Sequence, residues 1–157
     1  MVIDGHCHIL PPNFQQRRAE LLACDATFAS LFSRPQASFV SAETLLEDMD
    51  RDGVARSVVM GMGWADRELA EEANSYIIEA VGRYPDRLIG FCSVNPAWGD
   101  AAVADVERCA AAGLKGVGEL HPDSQAFDLG DRTTMANLAE IAREFSLVIT
   151  THSSEPV

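Results

Sequence analysis

Short apolar runs alternate with amphipathic stretches along most of the chain. Runs of β-branched and apolar residues bounded by glycine, proline or acids read as strands. Apolar residues at i, i+4, i+7 and i+8 read as helices. A first strand is predicted over Val2–His8 and a second over Val54–Met62. Three more are predicted over Arg87–Val94, Leu114–His121 and Leu147–His152. Ser41 is placed to N-cap a helix over Ala42–Asp52, which Gly53 stops. Asp66 caps a longer helix carrying Leu69, Ala73, Tyr76, Ile77, Ala80 and Tyr84, and Pro85 ends it. Another helix carries Val103, Val106 and Ala110 and closes at Gly113. Asp131 caps one carrying Met135, Leu138, Ala142 and Phe145. Residues 9–40 break this rhythm. They contain Pro11, Pro12 and Pro35 and read as a long insertion after the first strand, with one helix near 14–23.

The resulting order is β(αβ)₄, which implies α/β structure with a parallel sheet covered by helices. The later strand centres recur roughly every 30 residues, about the size of one βα unit. The pattern leaves two architectures in competition, a doubly wound open sheet and a (β/α)₈ TIM barrel. A barrel takes about 250 residues, so these 157 residues would be just over half of one.

The net charge is −12, with only 12 lysines and arginines. Such a surface repels polyanions, so nucleic acid is disfavoured as a partner and a small-molecule substrate is favoured. No apolar run approaches the ~20 residues that span a bilayer. The opening MVIDGHCHIL lacks a basic n-region and a long apolar stretch, so no signal peptide is read there and a cytoplasmic home is expected. The four cysteines, at 7, 24, 92 and 109, form no C-x-x-C pair and are expected as free thiols, with Cys92 and Cys109 in the core.

His6-Cys7-His8 is the sharpest chemical signal. Side chains at i and i+2 of a strand share a side, so both imidazoles project together and suit two cis ligands on one ion. By the same alternation Asp4 would share that side and orient a histidine from behind, while Cys7 points away. His152 ends the fifth strand and is placed to be a third ligand; the plain alternative is a hydrogen-bonded strand-terminal histidine. Glu119 and His121 share one side at the end of the fourth strand. Glu119 is a candidate bridging ligand or acid/base, and His121 a candidate substrate contact. Against this stand a simple ion pair for Glu119 and packing under Pro122 for His121. Lys115 lies at the strand's other end, away from the face where barrel active sites collect. Asn95 and Trp98 could line the pocket, though turn chemistry explains Asn95 equally well. Trp64 reads as a rim aromatic or a core residue, with the core favoured. No G-x-S-x-G, P-loop or G-x-G-x-x-G is present, which disfavours serine hydrolase and nucleotide-binding chemistry.

Five segments in order carry a family resemblance: IDGHCHILP, LLEDMDRDGVARSVVM, ANSYIIEAVGRYPDRLIGFCSVNP, GLKGVGELHP and VITTHSSEPV. Together they resemble the amidohydrolase-related proteins, often called amidohydrolase 2, over nearly everything except residues 13–40. The resemblance implies a (β/α)₈ barrel with one or two divalent ions at its mouth, zinc first and manganese second. It puts the family's H-x-H ligands on His6 and His8 and its fifth-strand histidine on His152. Many relatives show K-L-H-P where this chain has Glu119-Leu120-His121-Pro122. Glu119 is similar instead to the metal-ligating fourth-strand glutamate of TatD-type nucleases.

The implied activity is metal-dependent hydrolysis of a small-molecule amide, ester or lactone. Nonoxidative decarboxylation at the same kind of site is the alternative within the family. The family's eighth-strand aspartate has no counterpart in this sequence, so a truncated barrel of about five βα units is expected, with its outer strands open to self-association. A non-catalytic, self-associating half-barrel is the rival reading from outside enzymology. The 157 residues alone are expected to be inactive. Turnover by purified protein with added zinc or manganese would overturn that expectation.

Overall fold

The computed structural model describes residues 1–153. Residues 154–157, the end of the fifth segment and with them Ser154, lie outside the described residues. Five strands form one sheet: β1 (Val2–His8), β2 (Val54–Met60), β3 (Leu88–Cys92), β4 (Gly116–Leu120) and β5 (Val148–Thr151). They are parallel and lie in chain order, β1-β2-β3-β4-β5. A doubly wound sheet reverses its strand order at a switch point. This sheet does not, which decides the competition in favour of the barrel-type arrangement. The last four strands are each shorter than the apolar runs suggest, because backbone pairing ends before the hydrophobic stretch does. The leftover residues at the C-terminal ends turn into the loops that build the site.

The helices are α1 (Arg18–Cys24), α2 (Ala26–Phe32), α3 (Ala42–Asp52), α4 (Arg67–Arg83), α5 (Asp100–Ala111), α6 (Pro122–Gln125) and α7 (Arg132–Glu144). The sequence-predicted caps hold. Ser41, Asp66 and Asp131 each accept a hydrogen bond from a backbone N–H two or three residues on. Gly53 ends α3 at φ 72°, a left-handed conformation that disfavours a Cβ. Val59, Leu88, Cys92 and Val117 turn outward from the sheet and pack with Ile77, Val106 and Cys109 of α4 and α5. All four cysteines are free; Cys92 and Cys109 are buried, and Cys7 leans on this core.

Residues 9–40 hold more structure than their sequence suggests: a 3₁₀ turn at Pro12–Gln15 and two helices, α1 and α2, where one was expected. The helices are short and lack strong periodicity, so tertiary contacts rather than local pattern hold them. Phe14, Leu21 and Phe28 pack with Met62, Trp64 and Leu69 into a second core. Trp64 is fully buried there, edge-on to Phe14 and stacked on Phe28, so it is a core residue and not a rim aromatic. Asp25 pins this layer down. One carboxylate oxygen caps α2 at Phe28 N (2.7 Å). The other accepts from Ala65 N (2.8 Å) and Asp66 N (2.9 Å) in the loop after β2.

The register of β1 corrects one sequence expectation. Asp4 pairs with Ser57 and Cys7 with Val59, three steps on β1 against two on β2. The extra residue is a bulge, and it flips the side-chain alternation. Asp4 therefore shares a side with Cys7, not with His6 and His8. Its carboxylate accepts from the His6 backbone N–H (3.1 Å) instead of orienting an imidazole.

The outer strands carry exposed apolar residues, Val2 and Ile3 on β1 and Val148 and Ile149 on β5. No described helix is long and apolar enough to cross a membrane.

Removing Asp25 leaves three backbone N–H groups without their charged acceptor. Asp25→Ala is expected to lower the unfolding free energy by about 2–4 kcal/mol, read as a shifted urea midpoint. An unchanged midpoint would show that the clasp contributes nothing.

Candidate metal centre

Every candidate ligand sits at the C-terminal mouth of the sheet. His6 and His8 end β1, Glu119 is at the end of β4, His121 follows it, and His152 follows β5. His152 reaches its place because its backbone N–H continues the ladder to Leu120 O (2.7 Å). Parallel pairing thus brings residues 33 positions apart side by side.

The centre is built around one nearly buried carboxylate. Glu119 Oε2 lies 3.3 Å from both His6 Nε2 and His8 Nε2. It lies 3.2 Å from His121 Nε2, while Oε1 lies 3.0 Å from His152 Nδ1. The His121 and His152 rings stack at 4.4 Å and 11°. Four imidazoles therefore surround one carboxylate. Two donor sets result, His6-His8-Glu119 and Glu119-His121-His152, each with ligand atoms within 4.8 Å of one another.

The donor chemistry fits a divalent ion. His8 Nδ1 is 2.9 Å from Gly61 O. A carbonyl only accepts, so in the neutral ring Nδ1 carries the proton and Nε2 presents its lone pair to the centre. This is the outer-shell arrangement common for metal-binding histidines, supplied here by a backbone carbonyl. His6 Nε2 and His8 Nε2 are 3.0 Å apart. Two nitrogens each ~2.1 Å from a shared ion, at about a right angle, stand ~3.0 Å from one another.

Electrostatics point the same way. Burial pushes the His8 and His121 rings below the ordinary histidine value, so both are neutral and able to ligate at neutral pH. Burial pushes the Glu119 carboxyl up, but the hydrogen bonds from His152 and His121 outweigh it. The net direction is down, and Glu119 is ionised. Cys7 takes no part: burial and Asp4 raise its thiol to about 11.

A pocket of about 430 Å³ opens over these groups, lined by the five candidate ligands and by Leu31, Phe32 and Met62. Asn95 and Trp98 do not line it. Asn95 caps the 3₁₀ turn at Pro96–Trp98 through Ala97 N and donates to Gln125 O. Trp98 packs between the two cores.

Several supporting residues escaped the sequence reading. Gln125 accepts from His121 N (2.8 Å) and donates to Trp64 O and Val94 O. Gly63 has no Cβ where one would meet His121 Cβ at 2.6 Å, so the loop after β2 can press against that histidine. Ser93 donates to Gly118 O next to Glu119, and Asn74 fixes Ser93 N. None of these carries a spacing signal, because nearly all of their contacts are to atoms distant in sequence.

The amidohydrolase family model matches residues 3–156. The chain belongs to the amidohydrolase family. No curated protein matches it. Among solved structures it is similar to 5-carboxyvanillate decarboxylase from Novosphingobium aromaticivorans, which holds manganese. The TM-score is 0.80 at 19% identity, over 98% of this chain and 51% of that one. It is also similar to 4-oxalomesaconate hydratase from Rhodopseudomonas palustris, with TM-score 0.67 at 20% identity, over 98% and 53%. A 2,6-dihydroxybenzoate decarboxylase gives 0.63 at 19% identity, over 99% and 51%. The chain spans about half the length of these structures, and its five strands form a curled half of a (β/α)₈ barrel.

The folded state binds protons at His8 and His121 less readily than the unfolded chain does. Stability of the metal-free protein is therefore expected to fall as pH drops through the ordinary histidine value of 6.5. Glu119, held below its ordinary 4.5, extends the loss at lower pH. Urea unfolding between pH 8 and pH 4 checks this; a midpoint that rises on acidification would contradict it.

Proposed function

We propose that this chain provides the metal-holding part of an active site that hydrolyses a small-molecule amide, ester or lactone. One observation carries the reading: the buried Glu119 carboxylate within 3.3 Å of a nitrogen from each of four imidazoles. His6, His8 and Glu119 would hold one divalent ion. Glu119 and His152, with His121 beside them, offer a second position that shares the same carboxylate. An imidazole-rich set suits zinc first and manganese second. Such an ion supplies Lewis acidity that polarises the scissile carbonyl and brings the pKa of water toward neutrality.

The chain's own residues do the rest. Gly61 O keeps the proton on His8 Nδ1 and so keeps Nε2 facing the centre. His121, neutral at pH 7, is placed to take up or return a proton at Nε2 beside the substrate. Glu119 is ionised and acts as shared ligand or as acid/base.

Nonoxidative decarboxylation is the second reading, favoured by the fold shared with two proteins named as decarboxylases. The exposed apolar residues of β1 and β5 suit association with a second copy, and the four free thiols suit a cytosolic setting.

Metal analysis of the purified chain tests the proposal. The wild type is expected to retain one or two equivalents of zinc or manganese, with affinity at least about tenfold weaker in Glu119→Gln and His8→Ala. Failure of the wild type to bind either ion at millimolar concentration would sink it. Against the inactivity expected of these 157 residues alone, any acid release by the metal-loaded chain from ester, lactone and anilide panels supports hydrolysis; bicarbonate release from hydroxybenzoates without ester turnover supports the second reading.

A further inference from the structure

The part of the pocket wall that the candidate ligands do not form is apolar. Apart from the five candidate ligands, each residue lining the pocket is apolar: Leu31 and Phe32 from α2 and Met62 from the loop after β2. Among the described residues no lysine or arginine lines it. The insertion holds three arginines, none of them in the lining, and two of these are engaged elsewhere. Arg17 pairs with Glu20 and Glu72, and Arg18 donates to the carbonyls of Phe32, Arg34 and Ala37.

Phe32 and Met62 also serve the second core, so packing alone explains them. Leu31 is different. It belongs to neither core cluster and is 44% exposed, yet it borders the pocket. An isolated exposed leucine needs no explanation, but one on the wall of a site whose other non-ligand residues are also apolar does. Asp25 fixes its position by clamping α2 to the loop that carries Met62 and Trp64.

Resting on the metal-centre reading above, we infer that Leu31, Phe32 and Met62 form a hydrocarbon subsite, and that the substrate presents an uncharged apolar group to it. A carboxylate or phosphate placed there would lose water and, among the described residues lining the pocket, meet no cationic side chain. The substrate class is therefore an ester, amide or lactone with an aryl or branched alkyl substituent. A substrate bearing an acid group on the side that meets α2 is rejected.

Hydroxamic acids test this without turnover. Acetohydroxamate, benzohydroxamate and 4-carboxybenzohydroxamate are titrated by calorimetry into the zinc-loaded full chain and into its Leu31→Ala variant. Benzohydroxamate is expected to bind about tenfold more tightly than acetohydroxamate. The 4-carboxy compound is expected to lose most of that gain. In Leu31→Ala the acetohydroxamate affinity stays unchanged while the aryl advantage shrinks severalfold. The variant is expected to fold normally, and a wild-type urea midpoint confirms that Leu31 has no core role. Equal binding of the first two compounds, an undiminished aryl advantage in Leu31→Ala, or tighter binding of the 4-carboxy compound overturns the subsite while leaving the metal centre standing. Failure of all three to bind overturns the metal-centre reading and the subsite with it.

Discussion

A single buried carboxylate organises this molecule. Glu119 is almost withdrawn from water, and an ionised group there persists only if nearby donors or cations replace its hydration. Imidazoles from three different strand ends surround it, with His121 and His152 in hydrogen-bond contact. Three of the four histidines have their own support. His8 leans on Gly61 O, His121 on the Gln125 amide, and His152 on the Leu120 carbonyl through its backbone. The loops after β1, β2 and β4 are therefore shaped by what the centre requires as much as by the sheet.

The cluster sits in a conflict that a cation resolves. The His8 lone pair, the Glu119 oxygen and the His6 nitrogen converge within 3.3 Å. Acceptors that close repel one another unless a proton or a metal ion lies between them. An N–H at His6 Nε2 provides one such bridge. A divalent ion provides another, and the spacing of the two nitrogens matches the bite of a single ion. The low proton affinity of His8 and His121 favours the ion, because a ring that resists protonation remains a ligand.

The insertion after β1 is part of the same construction. Its second helix has the Asp25 carboxylate as both its cap and its tether to the β2 loop. Its last residues, Leu31 and Phe32, face the pocket that Glu119 and the histidines open onto. The candidate ligands thus come from strand ends, where the ladder fixes them, and most of the apolar wall comes from a helix held by one buried acid. This division, rigid chemistry on strands and adaptable walls on loops, is how barrel proteins vary specificity without disturbing the centre.

Much of this was legible in one dimension. The alternation of apolar runs with helical periods determined the α/β class, the caps at Ser41, Asp66 and Asp131, and the stop at Gly53, because each depends on residues within a turn of one another. The i, i+2 spacing of His6 and His8 placed two imidazoles together for the same local reason. Only the tertiary structure decided the rest. Strand order separated a barrel from a doubly wound sheet. The β1 bulge moved Asp4 to the opposite side, against the alternation that its sequence position suggested. Pairing of β4 with β5 put His152 against Glu119. Two helices formed where prolines and weak periodicity pointed to one, and Trp64 went into a core against Phe14, 50 positions away. Contacts of that kind depend on which backbone atoms meet in space, and side-chain pattern along a chain does not encode which distant carbonyl a histidine or a glutamine will find.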